Sequence, residues 1–147
     1  MQRIVLDTNV LVNGVQDDLS YAYRIIQNVI HGELEGVAST AILQEYEHMA
    51  TRLITDEEYL DMLDDYYDRL VIVNPRKHYR LSDDPSDNKF LDAAVEGEAQ
   101  FIISNDAHLL DLGDVDGVRI VTPEHFLHST DDGEEWQSMV QMIGISR

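Results

Sequence analysis

The chain has 147 residues, no cysteine, and 29 acidic residues against 10 lysines and arginines, which gives a formal net charge of −19 at pH 7. Without cysteine, it can form neither a disulfide framework nor a thiolate zinc site, and it has no nucleophilic thiol. The acidic balance argues against a protein that coats nucleic acid through a basic surface, but divalent cations at an acidic site can neutralise phosphate, so a nuclease stays open.

The length predicts a single folding domain, residues 1–128, followed by an acidic tail, residues 129–147. The first apolar run, Ile4 to Leu6, is interrupted by Asp7 and is too short for a signal peptide or a membrane span. We therefore expect a cytoplasmic protein without membrane contact.

Apolar segments with strand-like and helix-like spacing alternate along the chain. Strands are predicted at residues 4–6, 37–39, 71–74, 101–104 and 118–121. Helices are predicted at residues 21–30, 40–50, 56–70, 87–97 and 107–112, with a final helix that Pro123 opens. This alternation predicts an α/β fold with a mainly parallel sheet.

The helix at residues 56–70 has a predicted start and a predicted inner face. Thr55 and Glu58 have the spacing of a capping box. The apolar face is expected to consist of Leu60, Leu63, Tyr67 and Leu70. Further along the chain, Ser86 or Asp87 can cap the next helix.

Four acidic residues are candidates for a common site. Asp7 closes the first strand and Asp106 follows the strand at residues 101–104, so both are expected at the carboxyl edge of a parallel sheet. Glu45 and Asp87 lie on helices that could flank that edge. Because crowded carboxylates repel one another unless a cation compensates them, their convergence would imply a metal site. Oxygen ligands without cysteine favour Mg²⁺ or Mn²⁺.

Three segments resemble the ordered motifs of the PIN domain nucleases, and the VapC-like toxin branch of type II toxin–antitoxin systems in particular. They read VLDTNVLV, AILQEYEHM and DPSDNKFLDAAVEGEAQFIISNDAHLL. The resemblance implies a three-layer α/β/α fold and a Mg²⁺- or Mn²⁺-dependent endoribonuclease that hydrolyses RNA phosphodiester bonds. It also implies a homodimer that a cognate antitoxin holds inactive.

The same resemblance assigns the site residues as catalytic acids and metal ligands. Asp7, Glu45, Asp87 and Asp106 would be the first to the fourth acid of the family. Ser104 would take the place of the family's Thr or Ser, with Asn9 near the first acid, and Asn105 stands where the family commonly has Gly. Whether neighbouring acids join the site stays open: Asp83, Asp84 and Asp92.

Each of these residues also has a structural interpretation. Asp7, Asp87 and Asp106 are well placed to cap helices or turns, and Glu45 could be one more solvated helix acid. The six histidines show no paired metal spacing and are interpreted as structural or surface residues. The basic segment at residues 76–80 could contact phosphate, although a solvated loop is the simpler explanation, and Trp136 in the tail needs something to pack against.

The alternative function is a non-catalytic PIN-like module that binds a partner protein. It is suggested by the net charge, which should repel RNA at low salt. A receiver domain would need an acidic pair after the first strand and a late lysine, and a haloacid-dehalogenase-like phosphatase would need Asp-x-Asp. The chain instead reads Asp7-Thr8-Asn9, which disfavours both.

Overall fold

The computed structural model describes residues 1–16 and 20–129 of the chain. The strands in these two ranges are β1 (Arg3–Leu6), β2 (Glu35–Ser39), β3 (Val71–Val73), β4 (Phe101–Ile103), β5 (Asp114–Val115) and β6 (Val118–Val121). The α-helices are α1 (Thr8–Asn13), α2 (Tyr21–Ile30), α3 (Thr40–Leu53), α4 (Glu57–Arg69), α5 (Asn88–Glu96) and α6 (Ala107–Leu110). Residues 123–129 are also helical and are called α7, and short 3₁₀ turns cover Gly14–Gln16 and Pro85–Asp87.

The strands form one sheet in the order β3-β2-β1-β4-β6-β5. All neighbours pair in parallel except β5, which runs antiparallel to β6. Helices flank the sheet, which confirms the predicted α/β fold with a mainly parallel sheet. Strand β5 was not predicted, because two residues joined to β6 by a tight turn are too short to show a periodic pattern.

The core is built around the central strand. Ile4, Val5 and Leu6 have no exposed surface, as expected for a parallel strand that is covered on both faces. Helix α5 packs against β1, β2 and β4. At its end, a Cβ on Gly97 would lie 2.5 Å from Cγ1 of Val37, so this close helix-to-strand approach requires glycine.

The start and inner face of α4 differ from the prediction. Asp56, rather than Thr55, caps this helix, and its side chain accepts a hydrogen bond from the Tyr59 backbone N–H at 3.1 Å. The buried face consists of Tyr59, Leu63 and Tyr66, which have the i, i+4, i+7 spacing of one stripe. The predicted residues Leu60, Tyr67 and Leu70 are only half-buried at its side, since α2 and α3 cover the tyrosine stripe instead.

Two tyrosine hydroxyls fix the segment in which β1 passes into α1. Tyr46 on α3 donates to the carbonyl oxygen of Leu6, and Tyr59 on α4 donates to that of Leu11. Both rings belong to the hydrophobic core. The backbone on either side of Asp7 is therefore held from the neighbouring helix layer.

Within residues 1–16 and 20–129, no helix combines the length and the apolar character that a membrane span requires. The predicted acidic tail lies outside the described residues except for Ser129, and so does Trp136. The boundary between residues 128 and 129 therefore stays a prediction.

Candidate metal centre

Asp7 is a buried carboxylate at the carboxyl end of β1. Its side chain is the N-cap of α1, with Oδ1 accepting from the Asn9 backbone N–H at 3.2 Å, and the residue is only 4% exposed. Its own backbone N–H donates to the carbonyl oxygen of Ile103 at 2.9 Å. The predicted capping role is thus present, but it occupies one carboxylate oxygen only.

Ser104 connects Asp7 to Asp106. The buried Ser104 hydroxyl donates to Oδ2 of Asp7 at 2.7 Å and accepts from the Asp106 backbone N–H at 2.9 Å. Asp106 in turn caps α6, because its Oδ1 accepts from the His108 backbone N–H at 2.8 Å. One hydroxyl therefore sets the spacing between the acids that follow β1 and β4.

Asp87 approaches the same place from the start of α5. It stands at the N-cap position of that helix, but its side chain makes no capping hydrogen bond, contrary to the structural interpretation of this residue. The Asp87 carboxyl group lies close to that of Asp106, which contributes to raising its pKa. Asp87, Asp106 and His108 each bring one ligand atom to within 4.8 Å of the others.

The electrostatics of these acids show mutual repulsion. Burial, the hydrogen bond with Asp106 and the negative charges of Asp106, Asp84 and Asp7 raise the pKa of Asp87 to about 6. Burial also raises the pKa of Asp7, with a contribution from the charges of Asp106 and Glu45, against the opposing hydrogen bonds from Ser104 and Asn9. Crowded acids with raised pKa values are typical of a site that a cation completes.

Glu45 lies at the side of this cluster rather than within it. One of its oxygens accepts from the Thr8 hydroxyl, and the other pairs with Nζ of Lys89 at 3.0 Å. In the described part of the chain, Lys89 is the one lysine or arginine in an ion pair with any of the four predicted acids. The structure thus brings Asp7, Asp87 and Asp106 together and places Glu45, partly neutralised, beside Asp7.

Two acids that are near Asp87 in the sequence, Asp84 and Asp92, have different surroundings in the structure. Asp84 caps the turn before α5 by accepting from the backbone N–H and the hydroxyl of Ser86, and its charge contributes to the raised pKa of Asp87. Asp92 faces a different partner, since it accepts from the Tyr79 backbone N–H at 2.7 Å and lies 3.2 Å from Nδ1 of His78. Asp84 therefore lies near Asp87, whereas Asp92 binds to the loop before α5.

The basic segment at residues 76–80 is largely neutralised by acids. Arg76 contacts Glu96 through its backbone N–H and guanidinium at 2.9 to 3.2 Å. Lys77 pairs with Asp116 at 3.3 Å. These contacts favour the interpretation as a solvated loop over a phosphate-binding patch.

Sequence reasoning missed His108 and Lys89. His108 was treated as a surface residue, yet its Nδ1 lies 3.8 Å from Oδ1 of Asp106, at the edge of the acids. Lys89 was passed over, although it follows Asp87 by two residues. The available signal was that each residue lies two positions after a candidate acid, which is weak in a chain with 29 acids.

The donor set fits a hard divalent cation. Ligand atoms of Asp87, Asp106 and His108 lie within 4.8 Å of one another. Asp7 is linked to Asp106 through Ser104, its charge acts on Asp87, and the chain has no cysteine. Oxygen donors with a single imidazole suit Mg²⁺ or Mn²⁺ better than a structural zinc site, which would use thiolates or several histidines.

Fold and site together define a small α/β domain whose parallel sheet presents clustered acids at its carboxyl edge. The family model described as PIN domain matches residues 3–108, and the chain belongs to the PIN domain family. The resemblance predicted from the three motifs is thereby confirmed.

Two relatives illustrate the range of this similarity. The chain is 24% identical over 139 residues to the uncharacterized protein MJ1680 of Methanocaldococcus jannaschii, with 85% of this chain and 89% of that protein covered. It also resembles a chain in the crystal structure of VapBC2 from Rickettsia felis bound to a DNA fragment from their promoter. That match has a TM-score of 0.54 and 13% identity, and it covers 81% of this chain and 97% of the other. At such low sequence identity, this structural match shows that the two chains share a fold.

Proposed function

We propose that this protein is a Mg²⁺- or Mn²⁺-dependent endoribonuclease that acts in the cytoplasm as the toxin of a toxin–antitoxin pair. The observation that carries the proposal is the meeting of Asp7, Asp87 and Asp106, with raised pKa values for the first two. Membership of the PIN domain family supports a nuclease, and the fold shared with a VapBC2 chain supports the toxin assignment.

The metal would be held by Asp7, Asp87 and Asp106, with His108 and Glu45 at the rim. A bound divalent ion supplies a Lewis acid that lowers the pKa of a water molecule and stabilises charge on phosphate oxygens. The chain's own contribution is to fix its ligands in place. The Ser104 hydroxyl orients Oδ2 of Asp7, the Asn9 N–H orients Oδ1 of Asp7, and the His108 N–H orients Oδ1 of Asp106.

The hydrogen bonds and ion pairs of the carboxylates indicate which acid could accept a proton from water. Glu45 lies at the side of the acid cluster, where it accepts from the Thr8 hydroxyl and pairs with the Lys89 ammonium group, so we assign it a positioning role. Burial and the neighbouring acids raise the pKa of Asp87 to about 6, so this carboxyl group is protonated at mildly acidic pH when no cation is bound. Because Glu45 is paired with Lys89, Asp106 is favoured over Glu45 as the acceptor of a proton from water.

The proposed partners are an RNA substrate, a cognate antitoxin and a second copy of the chain in a homodimer. A net charge of −19 complements a basic antitoxin surface. The same charge favours the second candidate function, a non-catalytic module that binds a partner protein, since it opposes the approach of RNA.

The first experiment is cleavage of a labelled panel of RNA and single-stranded DNA by purified protein with Mg²⁺, Mn²⁺ or EDTA. KCl should range from about 0.1 M to about 1 M, where the Debye length falls from about 10 Å to about 3 Å. Metal-dependent RNA cleavage that is lost in Asp7→Asn supports the nuclease. Folded, antitoxin-free protein that cuts nothing in any condition would instead support the interaction module.

A further inference from the structure

A cavity of about 310 Å³ lies at the carboxyl edge of the sheet, beside the segment that carries Asp106. Its wall includes Asn105, which lies between Ser104 and Asp106, and Thr122, which follows β6. The Ser104 backbone N–H donates to the carbonyl oxygen of Val121 at 2.9 Å, so the two walls are held together. Asn13, at the other end of the helix that Asp7 caps, completes this side.

The lining of this cavity offers unused polar groups. The Asn13 and Asn105 amides and the Glu124 carboxylate are exposed, and none has a hydrogen-bond partner in the described ranges. These groups can therefore bind a ligand without breaking contacts within the described structure.

Tyr21 gives the cavity an aromatic wall. Its ring lies 5.4 Å from that of His128 on α7, and its hydroxyl is 3.1 Å from Nε2 of the same histidine. The ring is therefore held in a defined orientation by one neighbour while its half-exposed surface borders the cavity. A pre-oriented aromatic ring is the usual platform on which a nucleic-acid base stacks.

We propose that this cavity binds one unpaired base of the RNA strand, next to the cleaved bond, and that it prefers guanine. The inference deepens the proposed ribonuclease function and rests on it. The volume lies at the small end of ligand pockets, which range from about 300 to 1,000 Å³, and so suits a single base. Sequence-specific RNA recognition acts mainly on bases of this kind, splayed out of single strands.

Glu124 selects guanine over the other bases. An ionised carboxylate only accepts hydrogen bonds, and its two oxygens match two adjacent donors. Guanine presents N1–H beside its N2 amino group on the Watson–Crick edge, whereas adenine and cytosine place an acceptor beside their amino group. Uracil has a single N3–H between two carbonyl oxygens. The Asn13 and Asn105 amides can complete the recognition of guanine O6 and of the sugar.

The test uses oligouridine substrates that carry one guanine at successive positions, with inosine as the matched probe because it lacks only the N2 amino group. Wild-type protein should cleave next to guanine with a kcat/KM roughly tenfold above that for inosine. Glu124→Gln should remove the difference between guanine and inosine. Glu33→Gln, which changes an exposed acid near the amino ends of the strands, should keep it.

Tyr21 provides an independent arm of the test. Tyr21→Leu should raise KM roughly tenfold for every substrate, because stacking does not distinguish the bases, and Tyr21→Phe should retain most of the wild-type KM. Far-ultraviolet circular dichroism of each variant checks that the fold is intact. An unchanged KM in Tyr21→Leu would overturn the stacking role.

Binding of the same oligonucleotides to Asp7→Asn, measured by fluorescence anisotropy, separates the two proposals. Cleavage without a guanine preference, or a preference that survives in Glu124→Gln, overturns the base site and leaves the ribonuclease intact. Guanine-dependent binding that requires Glu124, without cleavage by the wild type, supports the base site and overturns the ribonuclease. Absence of both activities overturns both proposals.

Discussion

The two edges of the central sheet treat charge in opposite ways. At the amino ends of the strands, the Arg3 guanidinium contacts Glu35 at 2.7 Å and the carbonyl oxygen of Gly97 at 2.9 Å. At the carboxyl ends, Asp7, Asp87 and Asp106 face one another, and the pKa values of Asp7 and Asp87 are raised. The amino edge is satisfied within the fold, whereas the carboxyl edge carries repulsion that a bound cation would relieve. Electrostatic repulsion that the fold itself does not relieve indicates a ligand site.

The largest expected effect is the difference in activity between substitutions of Asp87 and Asp92, two acids of the same segment with different surroundings. Asp87→Asn should lower metal-dependent RNA cleavage by at least about 100-fold, because it removes a ligand. Asp92→Asn should keep cleavage close to that of the wild type and lose about 1 kcal/mol of stability, since it weakens the hydrogen bond from Tyr79. Steady-state kinetics and urea unfolding measure the two quantities. Equal cleavage by Asp87→Asn and the wild type would remove Asp87 from the site.

Ser104 tests whether the carboxyl edge depends on orientation as well as charge. Ser104→Ala should lower kcat/KM roughly tenfold and destabilise the fold by about 1 to 3 kcal/mol, because Oδ2 of Asp7 and the Asp106 N–H lose their buried partner. Ser104→Thr keeps a hydroxyl and is the matched control. If the alanine and threonine variants cleave equally well, the hydroxyl has no role in the site.

The sequence predicted those parts of the site that depend on residues close together in the chain. Asp7 and Asp106 were placed correctly because each directly follows an apolar strand, and parallel strands end at one edge. The side-chain links were not predictable: the Ser104 bridge, the pairing of Lys89 with Glu45 and the approach of His108 depend on helix orientation in three dimensions. The predicted start of α4 differs by one residue from the observed one because Thr55 and Asp56 are both favourable N-cap residues, and Asp56 takes this position in the structure.

The repulsion at the carboxyl edge should also appear as a pH dependence of stability in metal-free protein. The pKa of Asp87 is about 6 in the folded protein and near its ordinary 3.8 in the unfolded chain. Between these values the folded state binds the proton of Asp87 more tightly, so the contribution of Asp87 to stability is highest at low pH and falls as the pH rises from about 4 to about 6. Above that window both states are ionised and the penalty is constant.

Asp87→Asn isolates this contribution. The Tm of the variant relative to that of the wild type should rise by roughly 5 °C between pH 4 and pH 7 in EDTA. Saturating Mn²⁺ at pH 7 should reverse the order, because only the wild type retains the full ligand set. A Tm difference that does not change with pH would show that burial and the neighbouring acids do not raise the pKa of Asp87.

The amino edge should give the smallest effect, and it acts on stability alone. Arg3→Ala should cost less than about 1 kcal/mol, since both partners of the Arg3–Glu35 pair are about one-third exposed and water replaces part of the interaction. RNA cleavage should be unchanged, because Arg3 lies at the opposite end of β1 from Asp7. Arg119→Ala is the matched control, as its pair with Asp114 is longer, at 3.6 Å, and more exposed, so its removal should cost still less. A large loss of cleavage in Arg3→Ala with intact stability would show that the two edges are coupled and that charge at the amino ends also serves the site.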